Sequence, residues 1–179
     1  MRVIGLAIAV ASLMTTASAG AQPAEQTIDG AQRFLEMVLP GAGYESPAYR
    51  SAVAAAREAS NGVARFSGQP RIVDASVVSR CVSKAISSGD DVVMTVPGAG
   101  TYKLGDYSPD VRRMGNPNGF HWGRDVMTAK AQGEIVSVRF RGNDSDSYIY
   151  TGAEDMAARV AYAITFLHQQ CDPAAATCF

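Results

Sequence analysis

Apolar residues recur every three or four positions near the start of the chain, which predicts two amphipathic α-helices. The first is expected within residues 26–39, where five apolar residues share one face: Ile28, Ala31, Phe34, Leu35 and Val38. The second is expected over residues 47–60, because Ser46 can cap it and Pro47 suits the first helical position. An Asn-Gly pair follows and should end this second helix.

A third and longer helix is expected near the end of the chain. Five residues separated by steps of 4, 4, 3 and 4 lie on one of its faces: Met156, Val160, Ile164, Leu167 and Cys171. Thr151 and Glu154 fit a capping box, in which each side chain satisfies an unpaired amide at the helix start. Cys171 therefore belongs to the buried stripe of this helix.

Between these helices, β-branched and aromatic runs broken by turn residues indicate strands. Residues 71–87 can form one bent strand or two short ones, and residues 90–98 contain another. Residues 124–142 predict an antiparallel hairpin, and residues 147–152 add a strand. Residues 97–122 are rich in Gly, Pro and Asn, so we expect a long surface loop there, with one short strand around Tyr102.

These elements predict an α+β fold with two N-terminal helices, an antiparallel sheet of five to seven strands, and a long C-terminal helix packed on the sheet. The helical segment, residues 22–62, and the sheet with its closing helix, residues 63–171, should form one domain. A chain of roughly 150 residues is large enough for a single core. Residues 172–179 are expected to be a flexible tail.

The first 21 residues have the pattern of a secretory signal peptide. Arg2 precedes an apolar run over residues 3–14, and small residues at alternate positions over residues 17–21 offer two cleavage sites. The apolar run is shorter than the ~20 residues that span a bilayer. We therefore expect an exported protein, periplasmic or extracellular, that does not span a membrane.

The charge balance argues against nucleic acid as a partner. Arg2 is the only charged residue among the first 21, so the remainder carries 15 Lys and Arg against 17 Asp and Glu. Such a chain has no basic field to attract phosphates or anionic lipid. A protein, a peptide or a cell-envelope ligand is the expected partner, and the pattern does not specify an oligomeric state.

The three cysteines permit one disulfide, which an oxidising compartment favours. We favour a bond between Cys81 and Cys171. Cys171 lies on the apolar helix face that must pack on the sheet, and Cys81 lies in a predicted strand of that sheet. Cys171 with Cys178 is the short-range alternative.

His168 lies one turn before Cys171, so a thiol or metal protein using His168, Cys171 and Cys178 is a further alternative. With two histidines and no CxxC, we expect no metal site and no cofactor.

A catalytic alternative rests on residues 118–125, NGFHWGRD. His121 with Asp125 could act as a general base and its orienting carboxylate in a hydrolase. We favour the interpretation in which Trp122 anchors the sheet and His121 is solvated, because neighbours in sequence do not supply this geometry. Neither a GxSxG sequence nor a P-loop is present.

The favoured function is a non-catalytic binding or accessory module of unknown ligand, and the long loop is its expected contact surface. Six residues are candidate ligand contacts: Tyr102, Tyr107, Arg112, Arg113, His121 and Trp122. Loops of this length are usually functional or disordered.

From Trp122 onward the sequence resembles the end of a pleckstrin-homology-like domain. The pattern W-x3-V-x8-IVSVRF, followed by YIYTGAEDMAARVAYAITFLHQQC, corresponds to a late hairpin, a final strand and one closing helix. The chain is also similar to uncharacterised bacterial exported proteins that end in an A-R-V-A-x-A-x-x-F-L helix and a cysteine. The resemblance covers residues 72–171 and implies a binding or scaffolding module with no active site of its own. The two preceding helices depart from that plan.

Overall fold

A computed structural model describes residues 26–88, 92–103, 113–114, 119–172 and 174. The predicted signal peptide lies outside these residues, as does most of the predicted tail. The described residues form four helices: α1 (Ile28–Val38), α2 (Pro47–Ala59), α3 (Trp122–Asp125) and α4 (Glu154–Cys171). They also form eleven strands: β1 (Gly43–Glu45), β2 (Arg65–Ser67), β3 (Ile72–Ser79), β4 (Val82–Ser87), β5 (Val93–Val96), β6 (Gly100–Lys103), β7 (Arg113–Met114), β8 (Phe120–His121), β9 (Val126–Gln132), β10 (Ile135–Phe140) and β11 (Ser147–Tyr150).

The α+β class and the packing of the C-terminal helix on antiparallel sheets are confirmed, but the single large sheet is wrong. Sheet A has the order β1-β11-β10-β9, sheet B the order β2-β5-β6, and sheet C the order β3-β4-β7, with β8 also paired to β4. Strands β7 and β8, which pair with β4, have two residues each. They are too short to extend the backbone hydrogen bonding of sheet C to a further hairpin. Sheet B packs on α2 instead.

The main core lies between sheets A and C and helices α1 and α4. Of the predicted α4 stripe, Val160, Ile164 and Leu167 are fully buried, and Cys171 is buried at the end of the helix. Burying each such aliphatic side chain contributes about 1.5–3 kcal/mol. Helix α2 and sheet B enclose two smaller clusters of their own. Helix α4 is therefore held mainly by its apolar face.

The capping box predicted for α4 is wrong. The helix begins after Ala153, which provides no side-chain cap. The Thr151 hydroxyl donates instead to the carbonyls of Glu134 and Ala153, at 3.0 and 2.9 Å. Thr151 also donates its backbone N–H to Glu134, so it continues the edge of sheet A and lies too early to cap the helix. In contrast, Ser46 caps α2 as predicted, accepting from the backbone N–H of Tyr49 at 3.0 Å.

No helix among the described residues combines the length and the apolar character needed to cross a membrane.

Candidate functional site

A disulfide joins the end of α4 to the turn between β3 and β4. The Sγ atoms of Cys81 and Cys171 lie 2.05 Å apart, and the two Cα atoms are separated by 5.6 Å. The structure thus contains the pairing favoured from the sequence. Cys81 is not inside a strand, however, because residues 71–87 fold into a hairpin and Cys81 occupies its turn with φ of 66°. Cys178 lies outside the described residues.

Buried Gln32 of α1 supports the backbone of this turn. Its Oε1 accepts from the backbone N–H of Cys81 at 3.2 Å, and its Nε2 donates to the carbonyls of Ser79 and Val82 at 3.1 and 3.2 Å. The Cys81 carbonyl accepts from the backbone N–H of Trp122 at 3.0 Å. A left-handed backbone at a residue other than glycine is unfavourable, and these contacts fix it. Sequence reasoning missed Gln32, although a polar residue on the apolar face of a helix is a usable signal.

Trp122, a predicted ligand contact, lies in the core with 1% of its surface exposed. Its Nε1 donates to Ser83 Oγ at 2.9 Å, and its ring meets Phe120 edge-to-face at 4.7 Å between centroids. This matches the interpretation of Trp122 as an anchor of the sheet. In this position the indole is out of reach of a ligand on the surface.

His121 and Asp125 are engaged in contacts that shape α3. Asp125 accepts from the backbone N–H of His121 at 2.8 Å and pairs with Arg124 at 2.8 Å. The hydrogen bond from Arg124 is the main reason that the pKa of Asp125 is lowered. His121 Nδ1 accepts from the backbone N–H of Arg124 at 3.3 Å. The Asp125 carboxylate is therefore bonded to Arg124 and to backbone, whereas a catalytic dyad requires a bond to the imidazole.

Of the four remaining candidates from the sequence, the structure describes Tyr102 and Arg113. Tyr107 and Arg112 lie outside the described residues, and Arg113 pairs through its backbone with β4. Tyr102 is exposed on β6, where its hydroxyl donates to the Ala99 carbonyl at 2.5 Å. The role of these residues in ligand contact stays a prediction.

The region around His168 does not assemble a metal site within the described part of the chain. No group of three or more His, Cys, Asp or Glu side chains comes together there. The Nδ1 atom of His168 is buried and has no hydrogen-bond partner among the residues that the structure describes. Cys171, the nearest soft ligand in sequence, is bonded to Cys81.

A cavity of about 420 Å³ opens where the α1–β1 connection meets the start of β10 and the end of β11. Five polar side chains from distant parts of the chain line it: Gln69, Arg71, Glu134, Tyr150 and Thr151. We call this cavity the polar cleft. Sequence reasoning missed it, because each of these residues by itself is an ordinary surface residue.

Backbone hydrogen bonds fix the walls of the polar cleft. The Gly41 N–H donates to the Ile72 carbonyl at 2.7 Å, and the Ile72 N–H donates to the Ala42 carbonyl at 2.9 Å. Gly43 pairs with Tyr150 on one side and forms a bridge with Arg71 on the other. The cleft is therefore built on paired backbone on both sides of Gly43.

Gly43 is a residue at which the cleft needs a small side chain. A Cβ atom there would lie 3.2 Å from side-chain atoms of Gln69 and 3.2 Å from the Cβ of Tyr150. These distances are tighter than ordinary van der Waals contact, so a larger residue would push the two side chains apart.

The polar groups of the cleft are largely unpaired. Among the described residues, the side chains of Gln69, Arg71 and Glu134 make neither a hydrogen bond nor an ion pair with another side chain. Burial is the main cause that raises the pKa of Tyr150 to about 12, and the negative charge of Glu45 and a hydrogen bond to it act in the same direction. A tyrosine with an ordinary pKa is already protonated at neutral pH, so the shift only extends the neutral range of the Tyr150 hydroxyl to higher pH.

Comparison with known proteins adds no identification. No protein-family model matches the sequence, and no curated protein or solved structure matches it. The resemblance to pleckstrin-homology-like domains stays a prediction.

Proposed function

We propose that the protein is an exported, non-catalytic module that binds a ligand in the polar cleft. The observation that supports this proposal is a cavity with walls held by backbone hydrogen bonds, lined by three side chains, those of Gln69, Arg71 and Glu134, that pair with no other described side chain. A preformed site loses little conformational freedom when a ligand binds, and a few placed polar groups provide specificity.

The proposed export rests on the signal-like N-terminus together with the disulfide. Disulfides form and persist in oxidising compartments and are rare in the cytosol. The bond between Cys81 and Cys171 closes a loop across a sequence separation of 90 residues. In the chain-entropy model such a loop stabilises the fold by about 4 kcal/mol.

The proposed absence of catalysis rests on the contacts at α3. The His121 imidazole accepts a hydrogen bond from the backbone N–H of Arg124, and the Asp125 carboxylate accepts one from the backbone N–H of His121. Asp125 also forms an ion pair with Arg124. A general base needs a positioned imidazole with an orienting partner. A binding role therefore agrees better with these contacts than a hydrolase role.

Solution NMR of the oxidised protein tests the proposal with a fragment panel that contains small peptides, neutral sugars and lipid headgroups. We expect saturable amide shifts centred on Gly43, Thr151 and Gly152 with at least one class. The variant with Gln69, Arg71 and Glu134 all changed to Ala should lose these shifts. A control variant, with Arg33 and Glu58 changed to Ala on other exposed surfaces, should keep them.

Two results would contradict the proposed function. One is a panel in which no class shifts the cleft residues. The other is shifts centred on His121 together with turnover of a fragment that His121→Ala abolishes, which would favour the hydrolase alternative.

A further inference from the structure

Two side chains of opposite charge that pair with no other side chain in the described part of the protein line the polar cleft. Arg71 and Glu134 both border the cavity, yet they do not pair with each other. A guanidinium and a carboxylate that border one cavity without pairing with each other are complementary to a ligand that carries both an anionic and a cationic group. We propose that the polar cleft binds a zwitterion, specifically a short peptide with free termini. This inference rests on the proposed binding function.

Arg71 is suited to the carboxylate end of such a ligand. Its backbone is held on both sides, by the bridge to Gly43 and by the Ser88 N–H, which donates to the Arg71 carbonyl at 2.8 Å. The planar guanidinium can donate two parallel hydrogen bonds to a carboxylate. A fixed backbone limits the positions that this fork can reach.

Glu134 is suited to the ammonium end. It lies in the turn between β9 and β10, and its carbonyl accepts from both the backbone N–H and the hydroxyl of Thr151, each at 3.0 Å. An ionised carboxylate only accepts hydrogen bonds, and an ammonium group only donates them. The side chain of Glu134 therefore offers the acceptors that a free amino terminus requires.

Gln69 and Tyr150 supply neutral groups on the same cavity. The Gln69 amide can both donate and accept, which matches the N–H and C=O of a peptide group. The Tyr150 hydroxyl is hydrogen-bonded to Glu45 and, like any phenol, is neutral at pH 7. A cavity of about 420 Å³ is large enough for a small ligand, since such sites are roughly 300–1,000 Å³.

The charge pattern disfavours other small ligands. A phosphate would meet repulsion from Glu134, and a neutral sugar would leave both Arg71 and Glu134 without a charged partner. A free-ended peptide satisfies both groups at once.

Four forms of trialanine test the inference by NMR titration: the free peptide, its N-acetyl form, its C-terminal amide, and the doubly capped form. We expect the free peptide to shift Gly43 and Gly152 saturably. Each cap should raise Kd about ten-fold, as expected for the loss of one charge-assisted hydrogen bond.

Two variants test which side chain binds each end of the peptide. In Arg71→Gln, the amide cap should no longer weaken binding, while the acetyl cap still does. In Glu134→Gln, the acetyl cap should lose its effect, while the amide cap keeps it. Arg33→Gln, which changes an exposed arginine on α1, should behave like the unchanged protein.

The inference is overturned if the doubly capped peptide binds as tightly as the free one, or if no form of trialanine shifts the cleft residues. It is also overturned if Arg71→Gln and Glu134→Gln leave both cap effects in place. A neutral sugar or a lipid headgroup that shifts the cleft residues while all four peptides fail would overturn the zwitterion and leave the proposed binding function standing.

Discussion

The side-chain oxygen of Gln32 accepts a hydrogen bond from the backbone N–H of Cys81 at 3.2 Å. Gln32 belongs to the first helix, and Cys81 carries the disulfide to the end of the last helix. One buried amide thus fixes the turn from which the disulfide extends. The two ends of the fold, α1 and α4, meet at the same hairpin.

Replacing Gln32 with Leu should destabilise the oxidised protein by about 3 kcal/mol, because buried backbone groups at the Cys81 turn would lose their partners. Urea unfolding followed by circular dichroism measures this. Gln132→Leu, at an exposed position of β9, is the matched control and should change stability by less than about 0.5 kcal/mol. Equal stability of the two variants would show that the Gln32 contacts contribute little.

Gly123 permits the close approach of α3 to the end of α4. A Cβ atom at Gly123 would lie 2.1 Å from the carbonyl oxygen of Cys171. We expect Gly123→Ala to destabilise the fold by about 3 kcal/mol, because backbone rather than a flexible side chain must move. Thermal unfolding measures the change.

Gly142→Ala is the control for this effect. Gly142 has φ of 84°, and a Cβ atom there would meet no atom within 4 Å beyond its chain neighbours. Its substitution should show only the backbone penalty of about 1 kcal/mol. If Gly123→Ala is no worse than Gly142→Ala, the contact between α3 and α4 is looser than the distance at Gly123 implies.

The buried phenol of Tyr44 should make the folded protein less stable at high pH. Burial raises its pKa to about 12, although a hydrogen bond to Ser147 opposes the shift. The folded state therefore keeps the phenol proton after the unfolded chain begins to lose it. The stabilisation is fully present below pH 10 and should fall by about 2–3 kcal/mol between pH 10 and 12.

Unfolding experiments across this pH range check the assignment. Tyr44→Phe should remove this part of the fall, and Tyr49 and Tyr150, whose pKa values are also raised, mainly by burial, should contribute to what remains. Tyr162→Phe, at an exposed position of α4, should leave the fall unchanged. A fall that persists undiminished in Tyr44→Phe must arise from other groups.

The helices could be predicted from the sequence because their signals are local. The Ile28 to Val38 pattern, the Ser46 cap and the stripe ending at Cys171 all act within a few residues. Thr151 shows the limit of this reasoning. Its sequence distance from Glu154 suits a capping box, but in the fold Thr151 lies next to Glu134 and donates its hydroxyl to that carbonyl. Long-range pairing overrode a local capping signal.

The sheets and the cleft could not be predicted in the same way. Which strands pair depends on contacts between distant segments, and two-residue strands such as β7 and β8 leave almost no sequence pattern. Arg71 and Glu134 meet at one cavity only because Gly43 bridges Arg71 and pairs with Tyr150. Separately, these residues are indistinguishable from solvated surface residues.

The bond between Cys81 and Cys171 fixes the end of α4 to the β3–β4 turn. Mass-spectrometric peptide mapping of the oxidised protein, alkylated before digestion without reduction, measures the connectivity of the cysteines. We predict a linked pair of peptides that contain Cys81 and Cys171, with Cys178 alkylated. A peptide in which Cys171 is bonded to Cys178, or alkylation of all three cysteines, would contradict this attachment.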